Sequence, residues 1–255
     1  MNGRAAPGGS RWASRAVQAL FLIVLIAVWY FETASGRISP ILLPPPGAVA
    51  SELFDVLRTG EFIDDLLVTL AELAVAFTIS TLLGVLLGYL ISRSPYLIKV
   101  FEPLLAGAYA VPIILFLPLY VLLFGLGMPS KFALGATISF FPIVLNTIAG
   151  FGYVEQIFIT SARSMGASDY QLFRYVLLPA AFPVILTGLR MGFTVALLSI
   201  LGSETIASLA GLGHRIVHLS ESMDMARMFA YITFAVAIAA FLNAVVSSLE
   251  QKGKR

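Results

Sequence analysis

Apolar residues in this chain run in long blocks, and the polar residues are gathered between them. Leu66–Ser92 carries one charge, Glu72; Pro103–Ser130 and Phe132–Val154 carry none; Tyr175–Ser203 carries only Arg190. Each block exceeds the roughly 20 residues that cross a hydrocarbon core as a helix. Shorter apolar blocks at 16–31 and 228–249 add a first and a last span, the first flanked by Arg15 and Glu32. The pattern predicts an all-α membrane protein with six transmembrane helices, at about 16–31, 66–92, 103–130, 132–152, 176–204 and 228–249. They form one domain over 16–249, with tails at 1–15 and 250–255 and a polar connection at 153–175.

That connection reads as helix, glycine break, helix. Glu155 to Met165 is rich in helix formers, with apolar residues at Ile157, Phe158, Ala162 and Met165, and Gly166 is free to take the left-handed conformation that closes a helix. Ser168 then offers an N-cap, and Gln171 completes a capping box. On local pattern alone an ordinary interhelical loop is the simpler reading. Between the first two spans, Pro44-Pro45-Pro46-Gly47 makes a stiff entry into an amphipathic segment, with Val49, Leu53, Val56 and Leu57 on one face, suited to lying on the bilayer surface.

Composition agrees with a membrane setting. Apolar residues make up 59% of the chain and charged ones 12%, against about 25% charged in a soluble domain, and the mean hydropathy is +0.93. With both termini cytoplasmic, the inner segments hold Arg4, Arg11, Arg15, Arg93, Lys99, Arg163, Arg174, Lys252, Lys254 and Arg255, and the outer ones only Arg37, Arg58, Lys131, Arg215 and Arg227. This orientation satisfies the positive-inside rule and puts 153–175 in the cytoplasm. The first span ends in Val28-Trp29-Tyr30-Phe31 and lacks the small residues of a cleavage site, so it is expected to remain uncleaved. The absence of Cys excludes disulfides and thiolate metal sites. A net charge of +2 carries no nucleic-acid message.

Inside the spans, prolines at 103, 112, 118, 142, 179 and 183 remove backbone donors and bend or open helices. Gly84 and Gly88 have the spacing that lets helices approach closely. Glu72 and Arg190 are costly in hydrocarbon unless paired or facing water. Counted from the span ends, their depths differ by only about 4 Å, which predicts a Glu72–Arg190 contact or, alternatively, Arg190 on a solute cavity. His214 and His218 have a four-residue spacing, but Gly211 and Gly213 argue for a loop, and no metal site is expected. No Lys has the context of a phosphate-binding loop, so no ATP or other cofactor is expected in this chain.

The spacing of Ala162, Gly166, Val176, Leu178 and Pro179 resembles the cytoplasmic coupling loop of ABC importer permeases, the inner-membrane components of binding-protein-dependent transport; Thr160 and Ser161 stand where that pattern has Glu and Ala. The Leu43-Pro44-Pro45-Pro46-Gly47 lead-in, the Val111-Pro112 to Phe124-Gly125 stretch, Phe141-Pro142-Ile143 with Asn146-Thr147, and Glu204-Thr205-Ile206 followed by Gly211-Leu212-Gly213 resemble its nitrate, sulfonate, taurine and bicarbonate branch. The resemblance implies a type I ABC importer fold, two permease copies (a homodimer), two ATPase subunits that bind ATP and Mg, and an extracytoplasmic solute-binding protein, in a prokaryotic inner membrane. It implies that Thr160, Ser161, Ala162, Gly166, Ala167, Ser168, Leu178 and Pro179 couple to the ATPases, with Glu72, Pro112, Asn146, Arg190 and Glu204 as candidate pathway residues. The implied cargo is a small organic anion such as a sulfonate, nitrate or bicarbonate; a neutral or cationic solute such as a vitamin precursor is the alternative. A secondary transporter or channel would not need the coupling loop, and the inverted repeat expected of many such transporters is not found.

Overall fold

The computed structural model describes residues 9–253, and the ends of both predicted tails lie outside them. The described chain is helical throughout: α1 (Gly9–Ala34), α2 (Pro46–Thr59), α3 (Phe62–Ser92), α4 (Pro95–Tyr109), a 3₁₀ turn (Ile113–Phe116), α5 (Leu117–Phe124), α6 (Met128–Gly152), α7 (Gln156–Ser164), α8 (Asp169–Leu172), a π turn (Phe173–Leu177), α9 (Leu178–Ile206), α10 (Leu212–Glu221) and α11 (Met225–Gly253). Five helical stretches among the described residues are long and apolar enough to cross a bilayer, and a bent pair makes the sixth span.

Two predicted spans need correction. The third, expected at about 103–130 and bent or opened by its prolines, starts at Pro95, bends by 71° between α4 and the segment Ile113–Phe124, and stops before Gly125. Pro112 has no N–H to continue the ladder and disfavours helical backbone at Val111. The fifth does not begin at 176, because helix runs without interruption from Asp169 to Ile206. Pro179 withholds a donor inside it, and the backbone responds with a π turn in which the Leu178 N–H bonds the Phe173 carbonyl, five residues back.

The core is α6 held between α3 and α9 by glycine seams. A Cβ at Gly84 would stand 2.8 Å from Ile143 Cγ2, and one at Gly88 2.6 Å from Thr147 Cβ. On the other side, a Cβ at Gly192 would meet Ile143 Cγ1 at 2.6 Å, and one at Gly188 would meet Asn146 Cβ at 2.5 Å. Missing side chains let the backbones approach closely enough for Ile143 to pack on both neighbours at once. Leu73, Ala76, Ala136, Ala196, Leu197 and Ile200 fill the space beside them.

The amphipathic segment forms α2, but its apolar face is divided. Val49 and Val56 are buried, and Val56 packs with Leu212, Leu219, Tyr231 and Ala235 of α10 and α11. Leu57 stays exposed beside Phe54, so α2 is a strut on the protein as much as a surface helix. α1 presents Val17 to Phe31 largely to the surroundings and is tethered by Trp29, whose indole N–H donates to the Pro44 carbonyl at 3.0 Å.

Candidate functional site

The segment after α6 folds into the two-helix hairpin its residues encode. Gly166 has φ +81°, and the Ala167 N–H reaches back to the Ala162 carbonyl at 3.1 Å, closing α7 in a Schellman-type turn. Ser168 then starts α8 with a complete capping box: its Oγ accepts from the Gln171 N–H at 3.3 Å, and its own N–H donates to Gln171 Oε1 at 2.9 Å. An Arg163–Asp169 ion pair ties the two helices together. Of the apolar set on α7 only Ala162 is buried; Ile157, Phe158 and Met165 are exposed, as is Tyr170 on α8. Thr160 and Ser161 share that exposed surface, and Leu178 and Pro179 form the joint through which α8 runs into α9.

At the far end of α9 lies a polar knot that the sequence did not announce. Glu204 and Glu72 are each 1% exposed and Lys131 is fully buried. Glu204 Oε1 accepts from the Thr69 hydroxyl at 2.7 Å and Oε2 from the Gly213 N–H at 2.8 Å. Thr69 Oγ1 in turn accepts from the Leu212 N–H at 3.0 Å, and Asp65 takes the Gly211 N–H at 3.4 Å and the Arg215 Nε at 2.9 Å. Three side chains from α3 and α9 thus satisfy the first amides of α10, which no side chain of its own caps. Gly211, at φ +105°, has no room for a Cβ beside the Glu204 carboxyl.

Several sequence expectations fail here. Arg190 does not pair with Glu72: its Nε lies 2.8 Å from Glu250 Oε2 on α11, a carboxylate that also accepts from Thr187. The depth estimate assumed spans matched to a 30 Å slab, whereas α9 with 29 residues is about 44 Å long. Glu72 instead meets Glu204, which stands about 21 Å beyond Arg190 along α9. Lys131 is no outer-surface charge; it opens α6 with its ammonium turned onto the carbonyls of Leu126 and Gly127. His214 and His218 sit on a helix, not in a loop, with ring centroids 6.4 Å apart. Gly213 is required for close packing, since its Cβ would lie 2.6 Å from the Leu201 carbonyl oxygen.

Pro112 and Asn146 lie apart from the knot. Pro112 lines a cavity of about 330 Å³ with Tyr109, Ile138, Leu198, Ser199 and Gly202, and the buried Ser199 hydroxyl there has no hydrogen-bond partner among the described residues. Asn146 donates to the Pro142 carbonyl at 2.8 Å and touches Met191 Sδ at 3.9 Å. On α9, Met191, Val195, Leu198 and Gly202 recur at helical spacing, so Asn146 and the Pro112 cavity are linked along one side of that helix. Glu72 and Glu204 belong to the closed knot rather than to that side.

A capped two-helix hairpin set between spans of a glycine-seamed bundle defines a class. Residues 80–252 match the family model of the binding-protein-dependent transport system inner membrane component, and the chain belongs to that family. It is 32% identical over 236 residues to the taurine transport system permease protein TauC of Escherichia coli, covering 91% of this chain and 86% of that protein. It is 30% identical to the formylaminopyrimidine transport permease protein ThiX of Halalkalibacterium halodurans, covering 91% and 92% of the two chains. Its fold is shared with an inward-facing MetNI methionine ABC transporter, at TM-score 0.65 and 15% identity over 78% of this chain and 98% of that one. The chain is therefore an ABC importer permease with the type I fold.

Proposed function

We propose that α7 and α8 form the cytoplasmic coupling element on which an ATPase subunit docks, two such subunits serving two copies of this permease. The exposed surface of Ile157, Phe158, Ser161, Met165 and Tyr170 on a doubly capped hairpin carries this reading, because so much apolar area outside a bilayer suits a protein partner. The hairpin is continuous with α9 through the π turn at Pro179, so displacement of α7 is transmitted along the helix that carries Met191, Leu198 and Gly202. The pathway runs along that side, past Asn146 and Pro112, between the two copies. Arg190, 43% exposed at its side chain but tied to Glu250, braces α9 on α11.

A solute-binding protein delivers cargo at the outer end, near α2 and α10. Small organic anions of the sulfonate class are the favoured solutes, in keeping with the 32% identity to the taurine permease. A neutral heteroaromatic solute is the second reading, favoured by the uncharged lining of the Pro112 cavity. Cysteines placed at Ser161 and Met165 test the docking surface. They should cross-link to the ATPase in the assembled complex, and full transport with no cross-link at either position would remove the assignment. Competition of uptake by taurine against a pyrimidine separates the two solute classes.

A further inference from the structure

Behind α7, between it and the turn joining α3 to α4, opens a groove of about 460 Å³. The face that α7 turns into it carries Gln156, Ile159 and Arg163, whereas Phe158, Ser161 and Met165 lie outside it. The groove is therefore separate from the surface proposed to dock the ATPase. Three cations line it, Arg93, Lys99 and Arg163, against one acid, Asp169, which is already paired with Arg163. Arg93 and Lys99 make no ion pair among the described residues. α4 also begins here, and Ser94 at its N-cap makes no side-chain bond, so the positive end of that helix adds to the two uncompensated charges.

The charge sits on an apolar floor. Phe151 and Phe173 stack on each other, and Tyr89 meets both edge-on, in the lining of the same groove. Next to the lining residues Pro95 and Lys99, Tyr96, Val100 and Leu104 follow along α4 at four-residue spacing, 73%, 36% and 63% exposed. A groove with surplus positive charge at its mouth and an exposed apolar stripe leading away fits a ligand with an anionic head and a long apolar tail. A bare anion would use only the first of these features.

We propose that this groove binds the phosphate headgroup of an anionic phospholipid of the cytoplasmic leaflet, held by Arg93 and Lys99 with an acyl chain along Tyr96, Val100 and Leu104. A lipid so placed wedges α7 from behind and fixes its tilt. The inference rests on the cytoplasmic placement proposed for the hairpin.

The test is lipid retention by the full-length permease, counted by native mass spectrometry during titration with dioleoyl phosphatidylglycerol, with dioleoyl phosphatidylcholine and inorganic phosphate as separate arms. Phosphatidylglycerol should be retained saturably and in preference to phosphatidylcholine, and phosphate should not displace it at matched concentration. The double substitution Arg93→Gln with Lys99→Gln should weaken retention by about tenfold, whereas Arg93→Lys with Lys99→Arg should keep it. Equal retention of both lipids, an unaffected Gln double variant, or displacement by phosphate would each overturn the proposal. The lipid count does not depend on the ATPase. Lost lipid selectivity with intact ATPase cross-linking refutes the groove alone, and the converse refutes the docking surface alone.

Discussion

Glu72 on α3 and Glu204 on α9 stand beside each other, and both residues are 1% exposed. Glu204 already receives the Thr69 hydroxyl and the Gly213 N–H, while Glu72 Oε2 is given no donor by the described residues. Glu204 is therefore the anchored member of the pair, and Glu72 Oε2 the oxygen without a donor.

That difference separates two substitutions. Glu72→Gln removes no acceptor that an observed hydrogen bond uses and should change stability by less than about 1 kcal/mol. Glu204→Ala leaves the Gly213 N–H and the Thr69 hydroxyl without their acceptor, a loss of about 1–3 kcal/mol. Thermal unfolding in detergent reads both, and equal melting temperatures in the two variants would refute this difference between the two acids.

The glycine seam predicts a contrast between helix glycines. Gly88→Val must push Thr147 and should cost about 1–3 kcal/mol, because its Cβ would begin 2.6 Å from Thr147 Cβ. Gly107→Ala, with nothing within 4 Å of the new methyl, should be neutral or stabilising by up to about 1 kcal/mol. The same melting assay distinguishes them, and equal shifts would contradict the seam.

Arg190 and Glu250 should show their coupling in a double-mutant cycle. Arg190→Gln and Glu250→Gln should be less than additive by about 0.5–3 kcal/mol, whereas Arg190→Gln combined with Glu72→Gln should be additive. Coupling to Glu72 in place of Glu250 would contradict the observed pairing.

These residues also show what the sequence discloses and what it hides. The α7–α8 hairpin was legible because each of its signals is local: a glycine that must turn left-handed, a serine and a glutamine three residues apart, and a proline just inside the next helix. The spans were legible as apolar blocks with at most one charge each, though not their exact bounds. Partner identity was not, because it depends on rotation, tilt and overrun. α9 is longer than the slab used to place Arg190, so counting residues from its end misjudged which acid stands level with it. Lys131 looked like a loop charge because a single cation between two apolar blocks reads the same whether its ammonium points to water or back onto Leu126 and Gly127. The glycines at 211 and 213 suggested a loop, yet one is a turn and the other a point of backbone contact.

Sidedness is testable because the chain has no cysteine. Cysteines introduced at Ser164 on α7 and at Ser51 on α2, both exposed, should be labelled by an impermeant maleimide from opposite sides of the membrane. Labelling of both from one side would overturn the topology.

The central claim is that the α7–α8 hairpin transmits force from an ATPase to the pathway, and Gly166→Val tests it most directly. Space around Gly166 is open, so the substitution acts through the backbone alone, penalising φ +81° by about 1–2 kcal/mol. Gly166→Asn, which tolerates that conformation, serves as the control. In proteoliposomes holding the whole importer, Gly166→Val should lose solute-stimulated ATP hydrolysis and uptake together while the chain remains folded, and Gly166→Asn should retain most of both. Wild-type uptake by Gly166→Val would contradict the account.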